Sequence, residues 1–372
     1  MRSAPRRILV VKLATLGDLL IATPALRALR TSFPQAHIGV LTTAPGAAAL
    51  RGLDSFDETL VFDKYAFDRP TDALLQIPHA LGLARQLRGG DWDALVLMHH
   101  LTTAFGIAKY AALCLSSGAP VRVGLDNGRG WFLTHRAEDR GFGWRHEVDY
   151  LLDLVGVLGA RHPGEPRLEL RIGAEEERWA AQCWGDLDIT GDAVLINAGS
   201  GAYSAARRWW PERFVETARQ LQDQHGLRPL VLGGTGDDER RLAQRVADHV
   251  DGALVVPAAP TPQALGALIQ RCRLVVANDS GPVHVATAVG RPVVAIFGPS
   301  NDLAWGPYPV ADPRHQVARE ILACAPCIHR GHSFGTPQGC PARTCLAILE
   351  TSSVIGAAER ALGVDARVLV SG

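Results

Sequence analysis

LVVANDSGPVHVATAVGRPVVAIF, residues 274–297, sets an acid, a hydroxyl and a bare glycine between two apolar runs. Leu274–Ala277 and Val293–Phe297 are short, continuous and rich in valine, as expected of strands buried on both faces. Between them, Pro282–Val289 predicts a helix that opens on a proline, where the missing N–H costs nothing. Strand, turn, helix and strand in succession make one parallel crossover unit, and that fixes the fold class as α/β.

The same grammar extends in both directions. Upstream, Val194–Asn197, Pro229–Leu232 and Leu254–Pro257 read as strands, and Pro211–His225, Asp237–Val250 and Pro262–Arg271 as helices. A separate series starts near the amino terminus, with strands at Ile8–Val11, His37–Leu41, Ala94–Met98 and Val121–Gly124 and a helix over Leu19–Arg30. Pro, Gly and charge interrupt the pattern over Arg161–Asp192, so the domain boundary is expected there. The expected division is 1–172, 173–350 and a terminal helical segment 351–372. Two similar parallel-sheet halves facing a cleft would bind ligands at the carboxyl ends of their strands.

Composition narrows the classes. A chain of 372 residues with 47% hydrophobic and 20% charged residues is that of a soluble globular protein. Lys+Arg and Asp+Glu balance at 38 each, so no overall field attracts nucleic acid. Lys12 and Asp18 interrupt the apolar run that follows the basic amino terminus, which argues against a signal peptide. No stretch of about 18 apolar residues predicts a membrane span. Seven cysteines, an odd number, suit a reducing compartment, and the expected location is cytoplasmic.

Four turns at strand ends carry chemistry. In Asn278-Asp279-Ser280-Gly281, Ser280 can cap the helix or meet a ligand, and Gly281 lets a group approach the backbone amides. Those amides and the helix dipole suit an anion such as phosphate; the plainer reading is a tightly capped helix. Asp279 beside such a site must face something else, a sugar hydroxyl or a cation. Lys12-Leu13-Ala14-Thr15-Leu16-Gly17-Asp18 follows the first strand and is neither a dinucleotide fingerprint nor a Walker loop. Asp18 there either complements the helix dipole or points to the cleft. Lys12 is one of only three lysines against 35 arginines, and a structural role suits it best. Asn197-Ala198-Gly199-Ser200-Gly201, followed by Arg207-Arg208-Trp209-Trp210-Pro211, combines a small-residue turn with an arginine fork for phosphate. Gly233-Gly234-Thr235-Gly236-Asp237 is the fourth.

Together these residues resemble the ADP-heptose:lipopolysaccharide heptosyltransferases, glycosyltransferase family 9, almost from end to end. Val11-Lys12 through Asp18, with Ala22-Thr23-Pro24-Ala25-Leu26, is similar to the family's amino-terminal signature. Arg208-Trp209-Trp210-Pro211 is similar to its Lys-x-Trp-Pro segment, with arginine in place of lysine. Asn278 through His284, and on to Phe297-Gly298-Pro299, is similar to its most specific signature. The resemblance implies the GT-B architecture, two Rossmann-like domains with the donor nucleotide on the carboxyl-terminal one, and a last helix that crosses back onto the first. It implies Asp18 as catalytic base and Arg208 near the donor phosphates. Ser200, Asp279, Ser280, Gly281 and His284 then line the donor loops, and Asp237 falls near an acid that holds the donor ribose. Arginine at 208 keeps the charge and can grip phosphate in two places.

The implied reaction is a single inverting displacement, in which a heptose passes from ADP-heptose to a lipopolysaccharide core acceptor at the inner-membrane surface. It requires no cofactor, because the helix terminus and Arg208 meet the charge of the leaving group. The alternatives are a relative with another sugar nucleotide or a protein acceptor, and a non-catalytic sugar-nucleotide-binding module, for which a base at Asp18 has no use.

Cys324-Ala325-Pro326-Cys327 and Cys340 through Cys345 hold two close pairs in a loop rich in glycine and poor in apolar residues. Cys324, Cys327, Cys340 and Cys345 resemble a structural tetrathiolate site for zinc or iron. They are also similar to the cysteine finger of heptosyltransferases that modify autotransporter adhesins. The alternative is buried or reversibly oxidised thiols. Cys114, Cys183 and Cys272 read as core residues.

Overall fold

The computed structural model describes residues 4–64 and 76–363. The chain divides into two compact units: residues 1–166 with 331–333, and residues 167–330 with 334–372. The break falls between Pro166 and Arg167.

In the first unit six strands form one sheet: β1 (Arg7–Lys12), β2 (His37–Thr42), β3 (Glu58–Val61), β4 (Ala94–Leu97), β5 (Val121–Asp126) and β6 (His135–Glu138). Every pairing is parallel and the order is β3-β2-β1-β4-β5-β6. β1 and β4 are central and wholly apolar in their interiors, so Leu9, Val11, Leu95 and Leu97 anchor the core with Trp92 and Phe132. The order reverses between β1 and β4, which makes the carboxyl ends of these strands the switch point where such sheets bind ligands.

α1 (Leu16–Ser32) follows β1 and contains Pro24. Proline cannot donate to the carbonyl of Leu20, four residues earlier. The Thr23 hydroxyl donates to that carbonyl instead, at 2.6 Å. Thr23 thus repairs the bond that Pro24 removes, and the helix runs on through Ala25 and Leu26.

The second unit repeats the plan. Its strands are β7 (Ala193–Asn197), β8 (Arg228–Leu232), β9 (Leu254–Val256), β10 (Leu274–Asn278), β11 (Val293–Ile296) and β12 (His315–Ala318). They pair in parallel in the order β12-β11-β10-β7-β8-β9, the same topology with its switch point between β7 and β10. α7 (Pro211–His225) and α8 (Asp237–Ala247) follow β7 and β8, and α10 (Gly281–Ala288) joins β10 to β11. A small antiparallel excursion, β13 (Ile328–Arg330) and β14 (Ser333–Gly335), follows the sheet.

The last described helix is α13 (Thr351–Leu362). Val354, Ile355, Ala358 and Ala361 recur at helical spacing and enter the second unit's own core, against α7, β11 and β12. Burying Val354 and Ile355 there stabilises by about 1.5–3 kcal/mol each relative to exposure. The end of the expected back-crossing segment, residues 364–372, lies outside the described residues.

Candidate functional site

The first unit brings its chemistry to the end of β1. Asp18 occupies the first turn of α1, and the Thr15 hydroxyl donates to its Oδ2 at 3.4 Å. The loop between is pinned at Leu13: its N–H donates to His99 Nε2 at 2.8 Å, and its carbonyl accepts from Lys64 Nζ at 2.9 Å. His99 can accept that bond only as the neutral ring. Burial holds its pKa well below the usual value, and the charges of Lys12 and Lys64 act in the same direction. Lys12 itself is buried at the end of β1.

Next to it, His100 lies between two buried acids, with Nε2 bonded to Glu147 Oε1 at 3.0 Å and Nδ1 3.0 Å from Asp139 Oδ1. Burial opposes charge on this ring, but Glu147 and Asp139 outweigh it and push the pKa up to about 9. Burial also opposes ionisation of Glu147; His100 and Lys12 overcome it and hold its pKa low, while the charge of Asp18 acts against them. Asp18 thus acts on the same buried Glu147 as Lys12 and the His100 imidazolium. Residue spacing gives no sign of this group, because its members come from β1, the β4 turn, the β6 turn and the start of α5 (Glu147–Gly156).

In the second unit the turns after β7 and β10 are stitched together. Asn278 Nδ2 donates to the carbonyl of Ala198 at 2.8 Å, and its Oδ1 accepts from the N–H of Trp209 at 3.0 Å. Asn197 Nδ2 donates to Ser280 Oγ at 3.0 Å. The Ser280 hydroxyl goes to the carbonyl of Asn278 at 2.7 Å and makes no bond to the first-turn amides of α10. That bond holds the turn where the sequence leaves a cap or a ligand contact open, and no cap is formed.

Asp279 is buried and accepts from Arg207 Nη1 at 3.0 Å. Arg207 also donates to the carbonyl of Ser200 at 2.7 Å. Arg208 donates from Nε to Ser200 Oγ at 3.2 Å, and its Nη2 is 3.6 Å from Glu239. Ser200, Arg208, Asp279, Ser280 and Gly281 thus meet at the switch point, with Arg207 added. His284 is buried one turn into α10.

Asp237 does not join them. Its side chain is three-quarters exposed and pairs with Arg240 on the same helix. Glu239, two residues on, turns inward and accepts from the N–H groups of Ser200 at 3.0 Å and Gly201 at 2.8 Å. The glycines explain the fit. A Cβ on Gly199 would stand 2.5 Å from Glu239 Oε1, and one on Gly234 would meet the same carboxylate closer still.

The four cysteines differ in their surroundings. Cys324 and Cys340 are exposed, Cys327 is half-buried, and Cys345 is buried in the core with Leu346 and Leu349. Burial raises the pKa of Cys327 and Cys345, and the neighbouring thiols add to it. Among the described residues no group of three or more His, Cys, Asp or Glu side chains is placed to hold a metal ion. Cys114, Cys183 and Cys272 are buried, as expected of core residues.

Comparison with known proteins gives a consistent result. The model of glycosyltransferase family 9 (heptosyltransferase) matches residues 80–337. The lipopolysaccharide core heptosyltransferase OpsX of Haemophilus influenzae is 25% identical over 311 residues, 82% of each chain. Lipopolysaccharide heptosyltransferase 2 of Salmonella typhimurium is 27% identical over 307 residues, covering 79% of this chain and 83% of that one. The crystal structure of a family 9 glycosyl transferase from Veillonella parvula shares the fold, with a TM-score of 0.75 at 24% identity over 98% of this chain and 99% of that one.

Proposed function

From the premise that the chain belongs to glycosyltransferase family 9 and is a transferase, we propose that it moves a heptose from ADP-heptose to a lipopolysaccharide core acceptor. The observation that carries this is the convergence of Arg207, Arg208 and Asp279 on the turns after β7 and β10, beside the amino terminus of α10. Two arginines and the positive end of a helix suit a pyrophosphate that gains charge as it leaves. Glu239, fixed on the turn after β8, is suited to a ribose hydroxyl, the role that the family resemblance implies near Asp237.

Asp18 takes the proton of the acceptor hydroxyl, whose oxygen attacks the anomeric carbon as the bond from that carbon to the phosphate oxygen breaks. ADP leaves with both electrons of that bond, and the sugar inverts. General-base help of this kind is worth about 10²–10⁴-fold. The displacement needs no cofactor. Lys12 and His99, behind the Asp18 loop, keep its backbone and field constant rather than touch substrate.

No helix among the described residues is long and apolar enough to cross a membrane. The acceptor is lipid-linked, so the proposed place of action is the cytoplasmic face of the inner membrane. A panel of nucleotide sugars, scored by nucleoside diphosphate release with and without core acceptors, tests the assignment. Turnover of another sugar nucleotide in preference to ADP-heptose would overturn it.

A further inference from the structure

The mechanism above leaves unused a group of aromatic rings in the second unit. His329, in β13, has φ 58°, a left-handed backbone that side-chain-bearing residues seldom adopt. Asn301 Nδ2 holds it there through the carbonyl of His329 at 2.9 Å, and the carbonyl of Pro299 accepts from the N–H groups of Cys327 and Ile328 at 2.9 and 2.8 Å. The ring of His329 so placed stacks on Tyr203 (5.7 Å between centroids, 10° between planes). It also meets Trp305 at 4.5 Å and the edge of Phe334 at 5.5 Å. Despite these contacts, Tyr203 and Phe334 remain 47% and 43% exposed. Rings held this firmly yet left wet are suited to a ligand with one apolar face and a polar rim.

Their position says which ligand. Arg207 lies 5.5 Å from the centre of the Tyr203 ring and donates to Asp279, so the rings begin one side chain away from the donor turn. In the order β12-β11-β10-β7-β8-β9, Glu239 follows β8 and α10 follows β10. A nucleotide with its ribose at the first and its pyrophosphate at the second runs its far end toward β11 and β12. Trp305 follows β11, and His329 and Phe334 follow β12. This step rests on the donor placement proposed above. We infer that the exposed surfaces of Tyr203 and Phe334, fixed by His329, form a stacking platform for a sugar ring, either that of the donor or that of the acceptor.

The test compares Phe334→Ser, Tyr203→Leu and the conservative Phe334→Tyr with the parent. ADP and ADP-heptose affinities are measured by calorimetry, and the KM of a core acceptor by turnover. In Phe334→Ser the platform predicts unchanged ADP affinity and a loss of about three- to tenfold on a sugar-bearing ligand, recovered in Phe334→Tyr; in Tyr203→Leu, whose ring also lies against Arg207, the sugar-bearing ligand should lose more than ADP. Weaker ADP-heptose binding assigns the rings to the donor sugar, and a raised acceptor KM alone assigns them to the acceptor. Unchanged values throughout would overturn the inference and leave packing as the rings' role. An equal loss on ADP itself would overturn it in favour of the nucleoside. Failure of the parent to bind ADP at all would remove the donor reading and this placement with it.

Discussion

His100 makes the first unit sensitive to alkaline pH. Its ring lies between Glu147 and Asp139 at 3.0 Å each, with all three side chains buried. The folded protein raises its pKa from 6.5 to about 9. A raised pKa means that the folded state binds the proton more tightly, so the stabilisation is full below pH 6.5. It declines above that and is lost as the pH rises through about 9. At about 1.4 kcal/mol per pH unit, the whole effect is on the order of 3 kcal/mol. The low pKa values of Glu147 and Asp139 express the same attraction and add nothing further in this range. The assay is urea denaturation followed by circular dichroism from pH 6 to 9.5, on the parent and on His100→Gln. The substitution leaves two buried carboxylates without their cation and should cost about 3–5 kcal/mol at pH 6. The gap should then close by roughly 3 kcal/mol toward pH 9.5. A gap that stays constant, or a parent most stable at alkaline pH, would refute the reasoning.

Three further outcomes are expected. Glu239→Gln should weaken ADP binding by about tenfold, the scale of one charge-assisted hydrogen bond, while Asp237→Asn leaves it unchanged; calorimetry giving the reverse ranking would return the role to Asp237. Thr23→Val leaves the carbonyl of Leu20 without the hydroxyl that replaces Pro24's missing donor, and should cost about 1–3 kcal/mol in a urea melt. Elemental analysis of protein purified without a metal-affinity tag should find zinc and iron well below stoichiometric. A thiol reagent should then modify Cys324 and Cys340 quickly and Cys345 only on unfolding; one equivalent of either metal with protected thiols would contradict the geometry.

Central strands were legible from sequence because burial on both faces demands a continuous apolar run, as in Ile8–Val11 and Leu274–Ala277. Edge strands escape that demand, although β9 keeps an apolar run, Leu254–Val256, that reads as a strand. β3, β6 and β12 pair on one side only, and sequences such as His135-Arg136-Ala137-Glu138 carry no strand signal. The site divides in the same way. Asp18, Arg208 and Asp279 stand out because small or turn-forming residues at a strand end announce them. Asp237, Asp238 and Glu239 share the first turn of α8, and only the packing of that helix decides which one faces Ser200. Arg207 and Arg208 pose the same ambiguity, and the structure gives Asp279 to Arg207. His99 and His100 are adjacent, yet one is held neutral and the other charged, by partners that lie far away in sequence.

The central claim is that Asp18 is the base of a glycosyl transfer supported by the arginine and helix-terminus site of the second unit. The most direct measurement is single-turnover transfer from ADP-heptose to a core acceptor by Asp18→Asn, alongside its affinity for ADP. An amide cannot take a proton, so transfer should fall by about 10²–10⁴-fold while ADP affinity stays within about twofold of the parent. Transfer at the parent rate would contradict the account.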